Sequence, residues 1–195
     1  MRLRPWMTAI IAGLFLLGAS GCALGPRLYV NPQAELGTYK KLGLLPFRNL
    51  TIERFAGDRV LIALETELIS TGRFKVVGPA DLSRALRAAG VDPGDPTGNL
   101  PKLKIVCDTL GVSGLVRGTV TEYANVRLDE QQIPVVSFDC EMIDAPTGTI
   151  VWRTSVSLKG KGRVAGIVGV GSRTMSALTE AACARVVGKL SGKAF

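Results

Sequence analysis

KLGLLPF, residues 41–47, is nearly all apolar and is cut off at Pro46. That is the pattern of a strand covered on both faces, since a half-exposed strand alternates apolar and polar residues. Such a strand needs a layer on each side, and the sequence after it supplies helices. Arg48-Asn49-Leu50 reads as a turn. Residues 56–71 then carry Val60, Leu61, Leu64 and Leu68 at helical spacing, with Asp58 in the first turn and Gly72 as the stop. FKVVGP, residues 74–79, is a short second strand, and Pro79-Ala80-Asp81 opens a second helix with Leu82, Leu86 and Ala89 as its stripe and Gly90 at its end. Strand, helix, strand, helix is the start of an α/β fold, with a right-handed crossover where the strands are parallel.

The second half has a different grammar. Residues 92–99, Asp-Pro-Gly-Asp-Pro-Thr-Gly-Asn, form an exposed, turn-rich loop, after which Leu103, Val106, Cys107 and Leu110 mark a helix up to Gly111. Three strands follow at about 114–127, 135–143 and 149–158. Their links are short, with residues 145–148 as a tight turn, so an antiparallel meander is expected. Counting in twos puts Val136, Phe138, Cys140 and Met142 on one side, together with Ile150, Trp152, Thr154, Val156 and Leu158. The opposite side receives Ser137, Asp139 and Glu141, then Arg153, Ser155, Ser157 and Lys159. Helices therefore cover only one side of this half fully, and the polar side meets water or another subunit. A closing helix is expected at about 172–190, carrying Met175, Leu178, Ala182, Arg185 and Val186.

The amino terminus reads as an address. Arg2 and Arg4 precede the apolar run Met7–Leu17, and Ala19, Ser20 and Gly21 lead into Cys22, the layout of a secretory signal with its cleavage site. The run is too short to span a bilayer, which takes about 20 residues. Ala19-Ser20-Gly21-Cys22 resembles the lipobox of bacterial lipoproteins, which implies that Cys22 becomes the first mature residue and carries the lipid. Ala19 stands where leucine is usual, and Ala-x-Gly also suits ordinary signal peptidase. Ala23, where sorted lipoproteins retained at the inner membrane carry Asp, points by the same resemblance to the outer membrane, facing the periplasm. The expected organisation is a signal peptide at 1–21, a lipidated cysteine and short linker at 22–39, and one domain at 40–195.

Charge and composition narrow the function. The chain has 24 Lys and Arg against 16 Asp and Glu. Loss of Arg2 and Arg4 leaves 22 against 16, a net charge of +6 that in an envelope compartment faces headgroups, cell-wall polymer or a neighbouring subunit, with no nucleic acid in reach. There is no histidine, so Ser-His-Asp and Cys-His arrangements and imidazole-held zinc are excluded. Cys107, Cys140 and Cys183 follow no CxxC spacing and lie among apolar residues, the setting of buried, inert thiols; export permits one disulfide among the three. Asp139 and Glu141 on one strand face form a conceivable carboxylate pair, for which cross-strand pairing with Arg153 is the ordinary account. Gly166-Ile167-Val168-Gly169-Val170-Gly171 precedes a helix but has neither the spacing nor the βαβ context of a phosphate loop. Lys159, Lys161, Arg163, Gly166, Gly169 and Gly171 are instead the candidate interface residues. No catalytic residue, metal, cofactor or small-molecule substrate is expected.

LGLLPFRN, STGRFKVVGPADL, RAAG, LGVSGLVRGTV and DAPTGTIVW occur in an order that resembles periplasmic lipoprotein domains of the CsgG, LpoB, PelC and TolB-amino-terminal type. The resemblance covers about residues 40–158 and implies a three-layer α/β sandwich with a mixed central sheet, no catalysis, and a role in building or opening envelope machinery. CsgG-like members carry long pore-forming hairpins for which no strands are spare here, and LpoB-like activators use a long linker. The layout matches PelC-like members, which assemble as rings. The expectation is a structural or assembly subunit of an export or envelope complex, oligomeric; the alternative is a monomeric regulator of a periplasmic enzyme such as a peptidoglycan synthase.

Overall fold

The computed structural model describes residues 27–128, 131–160 and 174–194. Seven strands form one mixed sheet: β1 (Leu28–Val30), β2 (Lys41–Leu44), β3 (Arg48–Asn49), β4 (Lys75–Val77), β5 (Gly114–Leu128), β6 (Gln131–Asp144) and β7 (Ile150–Lys159). The order across it is β1-β7-β6-β5-β2-β4, with β3 beside β5 above the end of β2. β2 pairs in parallel with β4 and β5, and β3 with β5, whereas β5, β6, β7 and β1 form an antiparallel meander. The helices are α1 (Ala56–Ser70), α2 (Pro79–Ala88), α3 (Leu100–Leu110) and α4 (Met175–Ala194).

The expected three layers are present. Leu42 and Leu44 of β2 join Val60, Leu64 and Leu68 of α1 and Leu178, Ala182 and Val186 of α4 in the larger core. Leu45 belongs to the second core, with Leu82 and Leu86 of α2 and Leu103, Val106 and Cys107 of α3. The apolar run at 41–47 thus feeds both cores. Gly43 makes the close packing possible: a Cβ there would lie 2.9 Å from Leu82 and 3.0 Å from Leu115. Gly118 does the same on the other face, where a Cβ would collide with the Phe47 ring and the Asp139 carbonyl oxygen.

Several local expectations need correction. Residues 28–39 are not linker. Leu28, Tyr29 and Val30 pair with Thr154, Arg153 and Trp152, Leu36 and Tyr39 are buried, and the Tyr39 hydroxyl donates to Asp144 Oδ1 at 3.0 Å. A three-residue edge strand is too short to show a period, and two buried side chains suffice to dock it. Arg48-Asn49 is a strand rather than a turn. Ile150 does not share a face with Trp152: Met142 pairs with Trp152 but Ile143 with Ile150, so Val151 is an extra residue in a bulge and Ile150 packs on the second core. A second bulge leaves Thr121 extra in β5, where Val120 pairs with Phe138 and Glu122 with Ser137. The β5–β6 hairpin runs further than expected, to Leu128 opposite Gln131. In α4 the buried stripe is Leu178, Ala182, Cys183, Val186, Val187 and Leu190, and Arg185 is exposed.

Candidate functional site

The second face of the sheet is covered only at one end. Beyond Leu115, Ile143 and Ile150, where α2 and α3 lie, the strands carry two charged rows set by register. One row is Arg117, Glu141, Arg153 and the next Arg48, Thr119, Asp139, Ser155. Glu141 keeps only 11% of its side chain exposed and is held by Arg117, Nε to Oε1 at 2.5 Å, and by Arg153, Nη1 to Oε2 at 3.5 Å. Ser155 donates a short hydrogen bond to Asp139. A recess of about 300 Å³ opens here, bounded by Pro46, Pro93, Gly94, Arg117, Asp139 and Arg153.

These contacts show how each carboxylate is held. Both oxygens of Glu141 are engaged by guanidinium groups and Asp139 is tied to Ser155, so the two acids are structural partners of their neighbours. Arg153 pairs across the strands as expected. Arg117, the closer partner, was missed because it lies on β5, whose register to β6 passes through the bulge at Thr121.

The thiols are buried and unpaired with one another as disulfides. Burial pushes Cys107 up to about 11 and Cys183 up to about 12. Cys140 is also raised, first by burial and then by Cys183, Glu141 and Asp139. Thiols so shifted are protonated at neutral pH and poor nucleophiles. Lys159 is exposed at the end of β7. Ala19, Ser20, Gly21, Cys22, Lys161, Arg163, Gly166, Gly169 and Gly171 lie outside the described residues. Among the described residues no cluster of metal-ligating side chains occurs, and no helix is long and apolar enough to cross a membrane.

Two features at the flanks of the sheet escaped the sequence patterns. Between β3 and α1, Leu50, Ile52 and Phe55 are 56%, 100% and 50% exposed. Their loop is nevertheless tightly built. Asn49 Nδ2 donates to the Glu53 carbonyl at 2.7 Å, and its Oδ1 accepts from Thr51 N at 2.9 Å and Thr51 Oγ1 at 2.8 Å. The Thr51 hydroxyl in turn accepts from Glu53 N at 3.2 Å. On the opposite flank β1 ends beside Ser155, whose N–H meets the Arg27 carbonyl at 3.3 Å. The outer edge of β7 past that point has no strand beside it among the described residues. A recess of about 390 Å³ reaches from Thr121, Ser137 and the Asp139 carboxylate on β5 and β6 to Ser155, Val156 and Ser157 on β7, with Arg185 and Lys189 of α4 on its wall. Lys189 donates to Thr154 Oγ1 at 3.0 Å, and burial with the nearby Arg185 charge lowers its pKa.

The fold built from this mixed sheet and its two helix pairs is shared with solved PelC-like envelope lipoproteins. A PelC dodecamer from Paraburkholderia phytofirmans matches with a TM-score of 0.58 and 20% identity, over 85% of this chain and 95% of that one. Lipoprotein GNA1162 from Neisseria meningitidis matches with a TM-score of 0.55 and 18% identity, over 78% and 99%. Hypothetical protein CT253 from Chlamydia trachomatis follows at 0.50 and 10% identity, over 80% and 97%. No protein-family model matches the sequence, and no curated protein matches it. The likeness is one of fold.

Proposed function

We propose that this chain is a non-enzymatic lipoprotein, anchored through Cys22 in the outer membrane and facing the periplasm, that serves as an oligomeric structural or assembly subunit of an export or envelope-biogenesis complex. The observation that carries the proposal is the shared fold with PelC, whose structure is a dodecamer, over 85% of this chain. The likeness to a second lipoprotein, GNA1162, and the Ala19-Ser20-Gly21-Cys22 sequence support the anchor. On the open sheet face Glu141 is ion-paired with Arg117 and Arg153 and Asp139 is bonded to Ser155, which suits a surface that supports rather than reacts.

Two measurements test the proposal. Labelled palmitate should enter the full chain and fractionate with outer membranes, and Cys22→Ser should abolish both. Gentle detergent extraction followed by sizing should give a particle of many copies. A species the size of one protomer at working concentration would sink the oligomer and favour a monomeric regulator that docks on a periplasmic enzyme.

A further inference from the structure

Resting on the oligomeric proposal, a specific contact between copies emerges from the two flanks. A fully exposed isoleucine at the head of a hydrogen-bonded loop is a rigid apolar knob, and its order in the free chain removes most of the entropic cost of seating it. The Glu53 side chain beside it makes no ion pair among the described residues, and neither does Arg185 on the other flank. Arg185 and Lys189 stand four residues apart on α4, a like-charge spacing that disfavours the helix unless an anion lies against it.

The two features are level. Arg48, Thr119, Asp139 and Ser155 form one register row, so the loop leaves β3 on the row of the last β7 residue paired with β1's side among the described residues. The strands concerned lie about 14 Å apart across three strand spacings. A contact between two different patches is heterologous and repeats in one direction. Such repetition closes into a ring where the rotation between successive copies closes, and otherwise winds into a filament.

We propose that the Leu50–Phe55 apex of one copy seats against the β7 flank of the next, which has no strand beside it among the described residues, with Ile52 entering the recess beside Val156 and the Glu53 carboxylate meeting Arg185 and Lys189. The occupant of the knob's socket is a second copy of this chain.

The test uses the full lipidated chain in mild detergent. Ile52→Arg, at a side chain that touches nothing within its own protomer, should weaken assembly at least tenfold while the circular dichroism spectrum stays that of the wild type. Glu53→Lys should weaken it as well, and Glu53→Lys combined with Arg185→Glu should restore it. Ile52→Cys with Ser157→Cys should give, on oxidation, a ladder of covalent multimers, with buried Cys107, Cys140 and Cys183 contributing no background. An intact wild-type-sized particle for Ile52→Arg, without a ladder for the double cysteine, overturns the contact and leaves the oligomer standing. A wild type that stays a single protomer overturns the contact and the oligomer together. Particle size unchanged with weaker binding of Ile52→Arg to phosphatidylethanolamine–phosphatidylglycerol vesicles overturns it in favour of lipid.

Discussion

Beneath α1 and α4, the strands present Leu42, Leu44, Val116, Val120, Phe138, Met142 and Trp152 to a continuous core. On the reverse of the same sheet, α2 and α3 pack over Leu45, Val77, Leu115, Ile143, Ala145 and Ile150. Past these residues the reverse carries Arg117, Glu141 and Arg153 in one row and Asp139 with Ser155 in the next. The difference shows how a sheet can leave part of a face bare. Where no helix covers it, Glu141 finds Arg117 and Arg153 on the two neighbouring strands and Asp139 finds the Ser155 hydroxyl.

Substitutions on the two faces should therefore differ in size. Trp152→Ala, in the covered core and 1% exposed, should cost about 3–5 kcal/mol and shift the urea midpoint most. Gly118→Val, forcing a side chain against Phe47 and the Asp139 carbonyl, should cost about 3 kcal/mol by the same measurement. Glu141→Gln, on the bare face, should cost about 2 kcal/mol, less than a fully buried ion pair because Arg117 and Arg153 remain partly in water. Equal losses for Glu141→Gln and Trp152→Ala would erase the distinction between the faces. Ile52→Ser should change protomer stability by no more than about 0.5 kcal/mol, whatever it does to assembly.

Alkaline pH probes the end of the larger core, where Tyr39 reaches Asp144. Burial, with the Asp144 hydrogen bond and charge, raises Tyr39 to about 12. Its ionised form is disfavoured in the fold, so the unfolded chain releases the proton first. Stability is full below the ordinary tyrosine value of about 10 and falls as pH rises from there towards 12. Tyr39→Phe should lose about 1 kcal/mol at neutral pH with the hydrogen bond. Its stability should then fall less steeply between pH 10 and 12 in a denaturation series, the three buried thiols accounting for the slope that remains.

The helices and the meander were legible because each carries enough turns or alternations to show a period: Val60, Leu61, Leu64 and Leu68 are all buried as their spacing implies. β1 was not, since three residues cannot establish a pattern, and its pairing partners Trp152, Arg153 and Thr154 lie more than 120 positions away. Alternation in the sequence gives the faces of β7 from Trp152 onward and fails at Ile150, because a bulge shifts the alternation without any mark in composition. The Ile52 loop had a faint signal in the spacing of Leu50, Ile52 and Phe55 among polar residues. What turns those residues outward is the Asn49–Thr51 hydrogen-bond network, which no hydropathy pattern encodes.

The bulge at Val151 places Ile150 in one core and Val151 and Trp152 in the other within three consecutive residues. A single stretch of backbone is thereby riveted to both helix layers, and neither layer can peel away without pulling β7 out of register. The two cores should accordingly melt as one unit, with coincident transitions for probes placed in each.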